Sequence, residues 1–434
     1  MTTLTSDLGL TVFVYLPGAL TAVPAGRLQL LEDGRETLAT EFFYGTRYPA
    51  RVEAIELDPV SLPFRPQRPV PRQRQVPVNG LALFGAFRDA APDAWGRRLI
   101  ENRLHRSGPL PESVYLRHAG AHRTGALDFR AAPDSTEPQA ASTRLQSLDY
   151  LMDSIERIEA GERLAPAALA PLLEAGSSMG GARPKAVLLD DGRLWLAKFP
   201  LRSDRWNLPR VEMATLTLAA EAGLLVPAVR CVTLADGRDV LLIERFDRQA
   251  VAHGQARVHF VSALTLLGLH ESEARQGSYA ALADALSRYG AAGSVQMDRT
   301  ELFGRMVFNI LVSNDDDHLR NHGVLWSPQP QGWRLAPLYD VLPHPQVGHE
   351  RFLQIGVGSQ GRLATLDNAL SACGRFGLTP AQAAAVIERI TMTVHAWKNH
   401  FEAQSVSEAD IDALASAFRS RHELGWRAVA AVLG

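Results

Sequence analysis

The stretch VFNILVSNDDDHLRNHGVLW, residues 307–326, decides how this chain is read. An apolar run with helical spacing ends in a cluster of carboxylates and amides, and a strand-like apolar run begins directly after it. Phosphoryl transfer calls for such a loop. One carboxylate orients the attacking hydroxyl, and an amide or carboxylate five residues later can hold Mg²⁺ beside the transferred phosphate. Asp316 and Asn321 have that spacing, whereas Asp315 and Asp317 stand six and four residues before Asn321. Asp316 is therefore the candidate base, and Asp315 and Asp317 read as local polar supports. A bare run of aspartates would equally suit a helix end or a solvated turn. The D-x-D-x-D-G spacing of a calcium loop is absent.

Working outward, WRLAPLYDVLPH (333–344) supplies Asp340 nineteen residues beyond Asn321, where a second metal ligand from a short strand is expected. Val341 and Leu342 follow it in place of the phenylalanine and glycine of the usual kinase switch. Upstream, LWLAKFP (194–200) puts Lys198 on an otherwise apolar strand. A lysine buried there needs an anionic partner, and ATP phosphates and Glu212, fourteen residues on, are the candidates; snorkelling to the surface is the plain alternative. In SSMGGARPK (177–185), Gly180 and Gly181 let backbone N–H groups approach phosphate, and Lys185 adds charge. The segment matches neither standard phosphate-loop pattern, and a flexible turn would use the same glycines. In IERFDR (243–248), strand position sets the backbone near Glu244 and Phe246 against an adenine edge.

The chain has 434 residues, 46% of them hydrophobic, which is enough for a sizeable core in more than one unit. Its 45 basic and 47 acidic residues give a net charge of −2, so no global field draws it to nucleic acid or to an anionic membrane. Two distant cysteines, Cys231 and Cys373, argue against a disulfide framework or a structural zinc site and suit a reducing compartment. The thirteen histidines show no zinc-hydrolase spacing. The opening residues lack a basic region and a spanning apolar run, so a soluble, cytoplasmic protein is expected.

Short β-rich runs fill residues 10–57, with Asp33-Gly34 as a hairpin turn. Six prolines and four arginines between Asp58 and Gly80 predict an extended connector. APDAWGRR opens a helix with Pro92 near its first turn, and residues 130–143 read as a loop. Hairpins at Asp191-Gly192 and Asp236-Gly237 flank a helix that starts near Pro209 and ends at Gly223, the strand, strand, helix, strand, strand order of a kinase N-lobe. From Tyr279 on, helices dominate. The division this suggests is 1–135, 136–250 and 251–434.

Taken in order, the N-terminal β-unit, APDAWGRR, SSMGGARPK, WLAKFP, LLIERFDR, NDDDHLRN and LYDVL resemble the HipA-type kinases of bacterial type II toxin–antitoxin systems along nearly the whole chain. The resemblance implies an α+β fold: a bilobal protein-kinase-like core with a small N-terminal β-rich subdomain and a mostly helical C-lobe. It implies a serine/threonine kinase using ATP and Mg²⁺. Gly180, Gly181, Ala182, Arg183, Pro184 and Lys185 would form the phosphate-binding loop, and Lys198 would contact the phosphates. Glu244, Arg245 and Phe246 would line the adenine site, with His318 and Tyr339 also on the nucleotide. Asp316 would be catalytic, and Asn321 and Asp340 would hold the metal. Family members autophosphorylate a serine in the phosphate loop, here Ser178 with Ser177 as its neighbour. They also phosphorylate aminoacyl-tRNA synthetases and pair with a HipB-like helix-turn-helix antitoxin that binds operator DNA. The alternatives are a small-molecule phosphotransferase, which can share the aspartate-to-asparagine spacing, and a catalytically silent co-repressor.

Overall fold

The computed structural model describes residues 6–63, 74–106, 108–138, 147–162, 164–165, 172, 181–346 and 348–434. Strand β1 (Ser6–Tyr15) pairs antiparallel with β2 (Ala22–Asp33), which turns into β3 (Glu36–Tyr44). Gly34 takes φ +60° in that turn, the left-handed conformation that a side chain resists and the Asp-Gly pair announces. A fourth strand, β4 (Leu127–Arg130), completes the order β3-β2-β1-β4. All four of its residues are buried, the polar Asp128 and Arg130 included, and the alternating run Leu127-Asp128-Phe129-Arg130 is only four residues long, too short to mark a strand by itself. The connector expected to run extended from Asp58 instead starts with a tight turn. The buried Asp58 carboxylate accepts the N–H groups of Val60, Ser61 and, from farther along the chain, Ala86. Residues 64–73 of the connector lie outside the described residues.

The helix expected with Pro92 near its first turn runs over Ala94–Arg103. Asp93 is its N-cap, accepting from Gly96 N at 2.8 Å, and Pro92 precedes the cap instead of filling the first turn. Strands β5 (Lys185–Asp190) and β6 (Arg193–Lys198) turn through Asp191 (φ +46°) and Gly192 (φ +71°), the paired positive angles of a two-residue hairpin. Strands β7 (Val229–Thr233) and β8 (Asp239–Glu244) follow the helix Leu208–Glu221, which has Asn207 as cap, Pro209 in its first turn and Gly223 just beyond its end. The sheet order is β5-β6-β8-β7. The hairpin of β9 (Arg248–Val251) and β10 (Gly254–Arg257) and the short β11 (Phe260–Ser262) were not legible in the sequence. The expected pair β12 (Gly323–Pro328) and β13 (Gln331–Leu335) is present.

Two units result. One holds Met1–Leu201, Leu234–Gly237 and Leu242–Val261; the other holds Arg202–Thr233, Arg238–Leu241 and Ser262–Gly434. The fold is α+β. The three segments suggested by the sequence are a proposal about how its motifs are laid out along the chain. In the second unit the helix Val295–Leu311 is the core element. Leu302, Phe303, Met306, Val307 and Phe308 are fully buried, and it packs against the helices Tyr279–Tyr289 and Pro380–His395. Among the described residues no helix is long and apolar enough to cross a membrane.

The first unit contains a pH-sensitive packing contact. His259 is 2% exposed, with Nε2 2.8 Å from Leu57 O. Burial pushes its imidazole down to about 4, against a smaller upward pull from that hydrogen bond and the Asp89 charge. Between pH 6.5 and about 4 the unfolded chain binds a proton that the folded chain does not, so stability falls as pH falls. The slope should be about 1.4 kcal/mol per pH unit in that window. Urea titrations across it should show this slope in the wild type and a shallower one in His259→Gln; equal slopes would refute the assignment.

Candidate functional site

The aspartate cluster stands where the Val295–Leu311 helix stops. Ser313 turns the chain with φ +52°, and of the three aspartates that follow, Asp317 is buried, Asp315 partly exposed and Asp316 exposed. Asp317, 1% exposed, accepts from the Tyr279 hydroxyl on Oδ2 and meets His322 Nε2 at 2.7 Å on Oδ1. Tyr279 in turn accepts from Asn309 Nδ2 at 2.9 Å, and Asn309 Oδ1 accepts from Asn314 Nδ2 at 3.1 Å. This buried polar chain fixes the loop to two helices. Asp316, between the anchored residues, is exposed. Its carbonyl is held by His318 N at 2.8 Å and Asn321 Nδ2 at 3.0 Å.

Asp315 points toward the segment after Asp340. It accepts from His344 Nδ1 and Gln346 Nε2, and the His344 hydrogen bond draws its carboxyl below the ordinary range. His344 N donates to Ser313 O at 3.2 Å. Arg351 closes the arrangement from behind, donating to Ser313 Oγ at 2.5 Å, Ser416 O at 2.8 Å and Gln346 O at 3.0 Å. Burial alone would lower His344, but the Asp315 bond and the charges of Asp315, Asp316 and Asp340 hold it above its ordinary value.

Asp340 takes φ +58°, a left-handed conformation that aspartate tolerates better than most residues. Tyr339 beside it donates from its hydroxyl to Arg320 O at 2.8 Å, and Leu338 N donates to Leu225 O at 2.8 Å, so both residues leading into the bend are tied down. The Asp316 carboxyl is held above the ordinary range. Partial desolvation contributes most, His318 pulls the other way, and the Asp340 charge adds repulsion. Asp316, His318, Asn321, Tyr339 and Asp340 are thus brought together within one unit. Among the described residues no three His, Cys, Asp or Glu side chains form a metal-holding group. Mg²⁺ does not require one, since it retains waters and takes one or two carboxylates. Asn321, whose Nδ2 is engaged and whose Oδ1 is therefore the acceptor end, and Asp340 are hard oxygen donors that fit it.

In the other unit, Gly181 (φ +102°), Ala182, Arg183 and Pro184 lead into β5. Gly180, Ser177 and Ser178 lie outside the described residues. Lys185 forms a buried ion pair with Asp93, Nζ to Oδ2 2.9 Å, with both side chains at most 5% exposed. Its carbonyl accepts Trp95 Nε1 at 3.1 Å, and Pro184 O accepts Phe199 N at 3.1 Å. The APDAW motif is therefore the floor of this segment, a role the sequence did not disclose. Lys198 ends β6 half-buried, within the first unit; Glu212 is buried within the second. Glu244 pairs with Arg193 at 3.0 Å, and Phe246 packs by Phe260. Arg245 braces the fold, donating to His122 O and Arg123 O and pairing with Asp247. Its own N–H is taken by Leu194 O at 2.9 Å.

Residues 177–397, just over half of the chain, match the family model described as the HipA-like C-terminal domain, and the chain belongs to the HipA-like family. Two Sinorhizobium fredii proteins whose names propose them as kinases are related to it. Y4mE is 28% identical over 290 residues, 60% of this chain and 65% of Y4mE. Y4dM is 27% identical over 164 residues, 35% of this chain and 37% of Y4dM. The chain thus spans less than two thirds of the length of either relative. The HipA structure from Shewanella oneidensis, solved with HipB and its operator DNA, aligns with a TM-score of 0.67 at 17% identity, covering 98% of this chain and 99% of that one. That likeness shows a shared fold.

The three adjacent aspartates should separate by substitution. Asp317→Ala leaves the Tyr279 hydroxyl and His322 without their buried acceptor, and should cost about 3 kcal/mol. Asp316→Ala removes an exposed, repelled carboxylate and should change stability by less than about 0.5 kcal/mol. Denaturant midpoints check this, and the reverse order would overturn the division into anchor and reactive group.

Proposed function

We propose that the chain is the toxin component of a type II toxin–antitoxin system, acting as an ATP- and Mg²⁺-dependent protein serine/threonine kinase. The observation that carries this reading is the loop geometry. Asn321 is folded back onto the Asp316 carbonyl while Asp317 is locked inward, so one exposed carboxylate and one amide oxygen share a rigid loop facing the bend at Asp340. The family membership supports it.

In the proposed reaction the acceptor hydroxyl oxygen bonds to the γ-phosphorus, the bond from that phosphorus to the β,γ-bridging oxygen breaks, and ADP leaves. Asp316 orients the hydroxyl and takes its proton. Its raised proton affinity suits that task, since partial desolvation and the neighbouring Asp340 charge both favour the protonated product. Bound Mg²⁺, held by Asn321 and Asp340, would supply positive charge against the phosphate oxygens. Lys198 and residues 180–184 are assigned to the phosphates, with Lys185, whose ammonium is paired with Asp93, anchoring that segment, and the Glu244–Phe246 backbone to the adenine, from the order of motifs. The proposed partners are a HipB-like antitoxin, operator DNA through that complex, and an aminoacyl-tRNA synthetase as substrate. Autophosphorylation is proposed at Ser178, where a dianionic phosphoserine would compete with ATP phosphates for space.

Intact-mass spectrometry after incubation with Mg-ATP tests the reading. The wild type should gain phosphate mapping to Ser178, unless its mass at time zero already includes it. Asp316→Asn, purified in the unphosphorylated form, should be slower by on the order of a thousandfold while keeping its unfolding midpoint. Transfer at the wild-type rate in that variant would sink the assignment.

A further inference from the structure

The first unit encloses more positive charge than it neutralises. Around β1, β4 and the β9–β10 hairpin lie five guanidinium groups, those of Arg123, Arg130, Arg245, Arg248 and Arg257, none more than 9% exposed. Among the described residues three carboxylates face them: Asp128 and Asp247, both buried, and Glu137, 34% exposed. Two positive charges are left over. Arginine cannot discharge them by losing a proton, and burying unpaired charge is costly.

The hydrogen bonds show where the excess lies. Asp247 is saturated by Arg245, Arg248 and Gly125 N. Asp128 accepts from the Nε atoms of Arg123 and Arg130. Left over among the described residues of this cluster are Arg123 Nη1, Arg130 Nη2 and Arg257 Nη1, each buried and without a hydrogen-bond partner. The carboxylate with an oxygen to spare near them is Glu137, whose Oε2 is 3.8 Å from Arg130 Nη2 and whose Oε1 accepts from Tyr15. Arg130 lies 4.0 Å over the Phe13 ring, and Arg257 lies 4.0 Å over the Tyr15 ring. Phe13 and Tyr15 are two apart on one strand and so share a face. Arg123 lies over Phe129 of the adjacent strand, close enough to Arg257 for their charges to repel. Water could satisfy the donors but not the charge.

We propose that this cluster holds a small inorganic anion, chloride or inorganic phosphate, between Arg123, Arg130 and Arg257 against the Phe13–Tyr15 face of β1. The ligand is small because the donor atoms are shielded from solvent. Its role is to lock β1, β4 and the β9–β10 hairpin together, independently of any phosphoryl transfer.

The test is thermal unfolding of the full chain in sodium gluconate at fixed ionic strength and pH, with chloride or inorganic phosphate replacing it stepwise. Chloride, phosphate or both should raise the midpoint saturably by a few degrees in the wild type, and Arg257→Met should abolish the rise. The anion that acts identifies the ligand. General salting-in or salting-out is unsaturable and would act equally on the variant. No anion-specific rise in the wild type, or the same rise in Arg257→Met, overturns the proposal. Should Arg257→Met not fold, chloride NMR line broadening on the wild type decides the matter. Broadening that excess phosphate relieves supports the site, and an unbroadened line together with a flat midpoint refutes it.

Discussion

The carboxylate of Asp317 is the fixed point around which the candidate site is arranged. It is almost fully buried, and an unpaired charge there would be untenable, so its bonds to Tyr279 and His322 must form when the loop folds. Those partners reach in opposite directions. Tyr279 leads through Asn309 into the apolar Val295–Leu311 helix, and His322 leads into β12. With both ends of the loop set, Asp316 has no inward position left to occupy. Its exposure follows from its neighbour's burial.

The supports behind the loop follow the same logic of satisfied polar groups. Arg351 is buried with carbonyls and one hydroxyl as its hydrogen-bond partners, so it joins three separate turns without placing another carboxylate near Asp316 and Asp340. His344 sets an imidazole of raised proton affinity beside Asp315 and near the charges of Asp316 and Asp340. In the other unit Asp93 does two jobs with two oxygens, capping a helix with Oδ1 and pairing with Lys185 through Oδ2. A substitution there would loosen both the helix start and the segment following Gly181.

Much of this arrangement is legible in the residues alone. The Asp-Gly turns, the Asn207–Pro209 helix start and the Gly223 stop are all readable because each is a local conformational demand that few residue types satisfy. The spacing of Asp316, Asn321 and Asp340 picks out residues that the fold does bring together. What escapes is β4, whose alternating run is only four residues long, and the hairpin β9–β10, whose residues read as ordinary polar chain.

The local turns and caps, the α+β character and the order of motifs that marks the HipA-like family are all set by the sequence, since these depend on residues close together in the chain or on their linear order. The partners are a matter of the tertiary structure. Three adjacent aspartates have the same chemistry in the sequence; what separates them is that Asp317 meets Tyr279, Asp315 meets His344, and Asp316 meets solvent. Lys185 likewise reads as a phosphate ligand in the sequence, and in the fold its ammonium sits against Asp93, ninety-two residues away. Burial and pairing across such distances are set by packing, and no spacing along the chain encodes them.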